Sequence, residues 1–117
     1  MPNKQAIGNI GEAKAVDFLL DLKYSILHKN WRFKRSEIDI IALDNSALVF
    51  VEVKLRKQSR FGFPETTVSD NKIKKMHEAA DAYIAEHNWQ GELRFDIIAI
   101  SQTNDTYTIA HFVDAFY

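Results

Sequence analysis

The hydrophobic positions of this chain follow two rhythms. Ile7, Gly11, Ala15, Phe18, Leu19 and Leu22 recur every three or four residues, which predicts an amphipathic helix over 5–22. The same spacing returns at Ile73, Met76, His77, Ala80, Tyr83 and Ile84. It predicts a second helix over 70–87, with Ser69 or Asp70 as its cap. Elsewhere the period drops to two. An irregular strand is expected from Tyr24 to Phe33, a hairpin over 37–43 and 47–55, and two more strands over 92–100 and 106–113. In the hairpin, Ile38, Ile40, Ala42, Val49, Val51 and Val53 are expected on one face. Ile41, Leu43, Leu48 and Phe50 are expected on the other. Apolar residues on both faces mark central strands covered from both sides. Gln58 to Val68, with Gly62 and Pro64, reads as a loop. The order α-β-β-β-α-β-β predicts an α/β fold, a mixed sheet of about five strands flanked by helices.

Charge interrupts this pattern in two places. Glu37-Ile38-Asp39-Ile40-Ile41 and Val51-Glu52-Val53-Lys54 set charged side chains on strands that are otherwise apolar. If Asp44-Asn45-Ser46-Ala47 forms a tight turn, Asp39 and Glu52 are equidistant from its midpoint. Their β-carbons would then lie roughly 5 Å apart across the hairpin. Lys54, two residues beyond Glu52, shares its face. Each charge has an ordinary explanation. Asp39 could accept a backbone hydrogen bond at a strand end. Glu37 and Lys54, also symmetric about the turn, could form a cross-strand ion pair. Glu12 borders the buried stripe of the first helix and by pattern alone reads as an exposed glutamate. Taken together, three charges on the inner strands of one hairpin are costly to bury unless an ion or a reaction uses them. Metal-dependent phosphodiester hydrolysis is the chemistry that uses such a trio. Magnesium takes hard oxygen ligands, one or two of them carboxylates, and a lysine nearby can orient water or stabilise developing charge.

Composition narrows the setting. The 117 residues suit one domain over 1–117, and a 46% hydrophobic, 12% aromatic content argues against disorder. The absence of cysteine excludes disulfides and thiolate zinc sites and fits a reducing, cytoplasmic location. The first residues are polar, and no apolar run nears the roughly 20 residues of a membrane span, so a soluble protein without a membrane partner is expected. Net charge is only −1, but its distribution is lopsided. Residues 1–77 hold fourteen Lys/Arg against nine Asp/Glu, whereas 78–117 hold one against seven. Arg32, Lys34 and Arg35, then Arg56, Lys57 and Arg60, then Lys72, cluster near the charged hairpin and suggest one face that tracks phosphates. The bland alternative is that solvated loops and helix faces simply carry lysine. The four histidines lack ligand spacing and read as structural or surface residues. Gly8 to Glu12 lacks the strand-then-helix context of a phosphate-binding loop.

Asp39 followed by Glu52-Val53-Lys54 resembles the D…ExK signature of the PD-(D/E)XK nuclease superfamily. A wider set of residues resembles the bacterial YraN family over nearly the whole chain. It comprises Gly8-x-x-Gly11-Glu12-x-x-Ala15, Asn30-x-Arg32, Glu37-Ile38-Asp39-Ile40-Ile41, Val49 to Arg56, Phe61-Gly62, Lys72 and Arg94-Phe95-Asp96. Ser36 departs from the glycine usual there. The resemblance implies a restriction-endonuclease-like core and an endonuclease of Holliday-junction-resolvase type. It implies Asp39, Glu52 and the Val53 carbonyl as ligands of Mg2+ (or Mn2+), Lys54 as catalytic lysine and Glu12 as a supporting acid. The partner would be nucleic acid, DNA first, and symmetric cutting of a junction would call for a homodimer. A non-catalytic nucleic-acid-binding or assembly module on the same fold is the alternative. Intact acids at the motif positions favour the enzyme, while near-neutral charge and the acidic C-terminal third favour modest affinity or a recruiting partner.

Overall fold

The computed structural model describes residues 4–57 and 69–116; the side chains of residues 4–9, 56, 57 and 103 fall outside that description. The predicted loop 58–68 therefore lies outside the described residues, and Arg60 and Phe61-Gly62 with it. The elements are α1 (Lys4–Asp21), β1 (Ser25–Phe33), β2 (Ser36–Asp44), β3 (Ala47–Lys57), α2 (Asp70–His87), β4 (Glu92–Thr103) and β5 (Thr106–Phe116). They form one sheet in the order β1-β2-β3-β4-β5. Strands β3 and β4 are parallel and joined through α2, while every other neighbouring pair is antiparallel. The expected mixed five-stranded sheet with two helices is what forms.

Each helix covers one face. Ala15 and Leu19 of α1 pack with Ile40, Ala42, Val49, Val51, Ile98 and Ile100. Met76, Ala79, Ala80 and Tyr83 of α2 pack with Ile38, Ile41, Leu48, Phe50 and Phe95. The central hairpin is thus buried from both sides, as its apolar pattern required. Ile38 corrects one detail, because it joins Ile41 on the α2 side instead of following Ile40. The β2–β3 ladder ends at the Ile40–Val51 pair. Beyond it β2 turns away from β3, opposite a left-handed Asn30 in β1 (φ 54°). Strict alternation holds only while the ladder holds.

Local chemistry sets the helix ends. Ser69 caps α2, its Oγ accepting from the Lys72 N–H at 3.2 Å. At the end of α1, Lys23 takes φ 72°, its N–H donates to the Leu20 carbonyl, and the Tyr24 N–H donates to that of Leu19. This is a Schellman closure, made with lysine where glycine is usual. Leu22, expected in the buried stripe, stands past the helix at 47% exposure. Mid-helix, Gly11 lets α1 lie close on β3: a β-carbon there would stand 3.3 Å from that of Leu55.

Candidate metal centre

The divergence of β2 from β3 opens a gap, and Asp39 fills it. Its Oδ2 accepts a 2.8 Å hydrogen bond from the Val53 N–H, a donor that β2 would otherwise have to satisfy. The ordinary explanation for Asp39, a backbone hydrogen bond, is therefore part of the answer. It does not cover the rest of the electrostatics. Burial pushes the Asp39 carboxyl up, and the nearby Glu52 and Glu12 charges push it further. The Val53 N–H and the Lys72 ammonium oppose them, and the result is about 7.

Glu52 alternates with Val51 and Val53, whose side chains join the α1-side core, so it points toward α2. Its side chain is 13% exposed, and Lys72 Nζ on the first turn of α2 stands 3.5 Å from Oε2. That separation is a Coulombic pairing, too long for a well-formed hydrogen bond. Oε2 is consequently buried without a hydrogen-bond donor among the described residues. Burial raises the Glu52 pKa, with Lys72 and then Lys54 pulling the other way.

On the α1 side, Glu12, Glu37 and Asp39 each place a carboxylate oxygen within 4.8 Å of the others. Close approach at Gly11 brings Glu12 there, and Asn30 Nδ2 holds it with a 2.9 Å bond to Oε2. Glu37 also accepts from Arg32 Nε at 3.1 Å. Hairpin symmetry alone casts Glu37 only as an ion-pair partner for Lys54 and misses its place among the acids. Its spacing of two from Asp39 is the available signal, since such residues share a strand face.

Glu12, Glu37 and Asp39 thus gather on the α1 side, Glu52 faces α2 with Lys72, and the charge of Glu52 reaches Asp39 while that of Lys54 reaches Glu52. Val53 meets Asp39 through its N–H. The basic residues divide. Lys34 and Arg35 are exposed in the β1–β2 turn beside the cluster, whereas Arg32, 77% exposed, is engaged by Glu37. Lys72 lies in the cluster itself. The backbones of Arg56 and Lys57 follow Lys54 at the same end of β3, and Arg60 is outside the described residues.

A second polar group, visible in the sequence only as Arg94-Phe95-Asp96, lies toward the hairpin-turn end of the sheet. Arg94 makes two bonds to the fully buried Asp96, at 2.9 and 3.0 Å, and further bonds to Asp44 (2.9 Å) and Tyr24 (2.6 Å). His111 Nε2 and the Asp114 N–H complete the Asp96 shell, at 2.8 and 3.0 Å. Burial pushes the Asp96 carboxyl up, but His111, Arg94 and the Asp114 N–H outweigh it and hold it below the ordinary value. This network is satisfied throughout. It ties β2, β4, β5 and the α1–β1 connection together, and it bears out the structural reading of His111.

The fold and the acidic gap define a mixed α/β domain consistent with a restriction-endonuclease-like core, its acids gathered where two central strands part. The chain belongs to the uncharacterised protein family UPF0102, the YraN family of the resemblance above, whose model matches residues 11–100. It is 49% identical to a UPF0102 protein of Cytophaga hutchinsonii over 94 residues, 80% of this chain and 83% of the relative. A UPF0102 protein of Flavobacterium psychrophilum is 42% identical over 117 residues, covering 100% of this chain and 98% of its own. One from Geotalea daltonii is 45% identical over 116 residues, covering 97% and 91%. Among the described residues no helix is long and apolar enough to cross a membrane.

Proposed function

We propose that this protein is a divalent-metal-dependent endonuclease acting on DNA. The observation that carries the reading is the acidic gap: Glu12, Glu37 and Asp39 place carboxylate oxygens within 4.8 Å of one another, and the charge of Glu52, whose buried Oε2 lacks a hydrogen-bond donor among the described residues, reaches Asp39 from the α2 side. Such a site is incomplete without a cation, and its all-oxygen donor set suits Mg2+ or Mn2+. Bound there, the ion would polarise a scissile phosphate and lower the pKa of its water. Asp39 and Glu52 would hold the ion, with Glu12 and Glu37 beside Asp39. Lys54, on the face of Glu52, orients the attacking water or stabilises charge on the phosphorane. The exposed Lys34 and Arg35 and the adjacent Arg56 and Lys57 track the phosphate backbone. Branched DNA is the substrate class the resolvase-like resemblance favours, and cutting both strands of a junction would require two copies.

The test is a cleavage panel of junction, flap, linear duplex and single-stranded DNA with each divalent ion. Cleavage that needs Mg2+ or Mn2+ and disappears in Asp39→Asn and Lys54→Met supports the reading. Metal and DNA binding without cleavage of any substrate would favour the non-catalytic module.

A further inference from the structure

The Glu52 carboxylate is held by a lysine that the D…ExK signature does not contain. Lys54 lies two residues along the same strand face, yet Lys72 of α2 exerts the larger opposing field at Glu52. The Lys72 field also reaches Asp39. The main chain of Lys72 is fixed by the Ser69 cap, while its side chain stays 38% exposed and reaches Glu52 only at 3.5 Å. A permanent fastening of α2 to β3 would be expected to close to hydrogen-bond length and bury both partners. Instead a partly solvated ammonium sits 3.5 Å from a buried oxygen that has no other donor among the described residues. It carries the charge a metal ion would bring to that oxygen, and both cannot occupy the position.

We propose, resting on the metal-site reading above, that Lys72 is a resident counter-cation of the site. It neutralises Glu52 in the metal-free protein, yields the carboxylate when a divalent cation binds, and turns its freed ammonium to a substrate phosphate. Lys72 is thereby a positioning residue that couples metal loading to phosphate binding. The cation in the site and the cation on the DNA backbone are made available in one step.

Two measurements on the full chain test this. Calorimetric titration with Mn2+ compares the wild type with Lys72→Met, which keeps the apolar stem, and with Lys75→Met, which removes an equal charge from an exposed position of the same helix. Lys72→Met should bind Mn2+ about three- to tenfold more tightly, the range for losing a partly exposed competing charge. Lys75→Met should stay within about twofold of wild type. Fluorescence anisotropy with a labelled DNA duplex, with and without Mg2+, supplies the second readout. The Mg2+-dependent gain in affinity should vanish in Lys72→Met, persist in Lys75→Met and return in Lys72→Arg. Lys72→Gln serves in place of the methionine variant if that one does not fold.

Equal or weaker Mn2+ binding by Lys72→Met, or a retained Mg2+-dependent gain, overturns the proposal and leaves the metal site standing. Failure of the wild type to bind either ion, with or without duplex, overturns both.

Discussion

Replacing Asp39 with asparagine removes a charge and keeps the shape, and the structure sets the size and pH dependence of the effect. The folded carboxyl holds its proton up to about pH 7, whereas its ordinary value is 3.8. Between those values the folded protein binds more protons than the unfolded chain. The stability contributed by the protonated form is complete below about 3.8 and is lost as pH rises through about 7. Carrying the ionised group at pH 8 therefore costs up to about 4 kcal/mol, and solvent at this half-buried position reduces that to about 2–3. The asparagine side chain would keep an oxygen for the Val53 N–H, and the weaker neutral bond costs about 1 kcal/mol of the gain. The expected outcome is that Asp39→Asn is more stable than wild type by about 1–2 kcal/mol at pH 8, and that this advantage shrinks steadily toward pH 4. Urea denaturation in EDTA at unit pH steps measures it. Adding Mg2+ should reverse the order, since saturation at a hundredfold excess over Kd adds about 2.7 kcal/mol to the wild type alone. A stability difference between variant and wild type that does not change with pH, or one that favours the variant more at pH 5 than at pH 8, would refute the assignment of a strained carboxylate.

Arg94→Met should cost about 3 kcal/mol or more by leaving Asp96 charged and buried, read as a lower urea midpoint; a loss under about 1 kcal/mol would mean the network contributes little. Gly11→Val should lose about 1–3 kcal/mol through its clash with Leu55 and should weaken Mn2+ binding by displacing Glu12, and unchanged metal affinity in a folded variant would separate Glu12 from the site. Charge reversal of Arg56 and Lys57 should lower DNA affinity across sequences and flatten its salt dependence, by about 0.9 in log–log slope for each phosphate no longer neutralised. The same reversal should leave metal binding nearly unchanged, and an unaltered slope would remove these two residues from the DNA-binding face.

Element order, both helices, the turn at Asn45–Ser46 and the two-sided burial of the central hairpin are all legible in the chain before it folds. These follow from nearest-neighbour geometry. Periods of 3.6 and 2 fix which side chains share a face, and a two-residue turn fixes the register that pairs Asp44 with Ala47 and Ile40 with Val51. Extending that register predicts Asp39 opposite Glu52; the charge of Glu52 does reach Asp39, but no ladder pairs them. How they meet is a tertiary matter. The ladder stops one pair short of them, so Asp39 turns into the gap to bond the Val53 N–H, and Ile38 changes faces. Lys72 and Glu12 belong to helices separated in sequence from the strands they approach, and no local period encodes where a helix lands on a sheet. Gly11 and the Ser69 cap help to set that position, the first by permitting close approach and the second by fixing the start of α2. The Arg94–Asp96–His111 network is legible only as a short charged motif. Its partners Tyr24, Asp44 and Asp114 come from three other segments, and only the folded sheet brings them within hydrogen-bond reach.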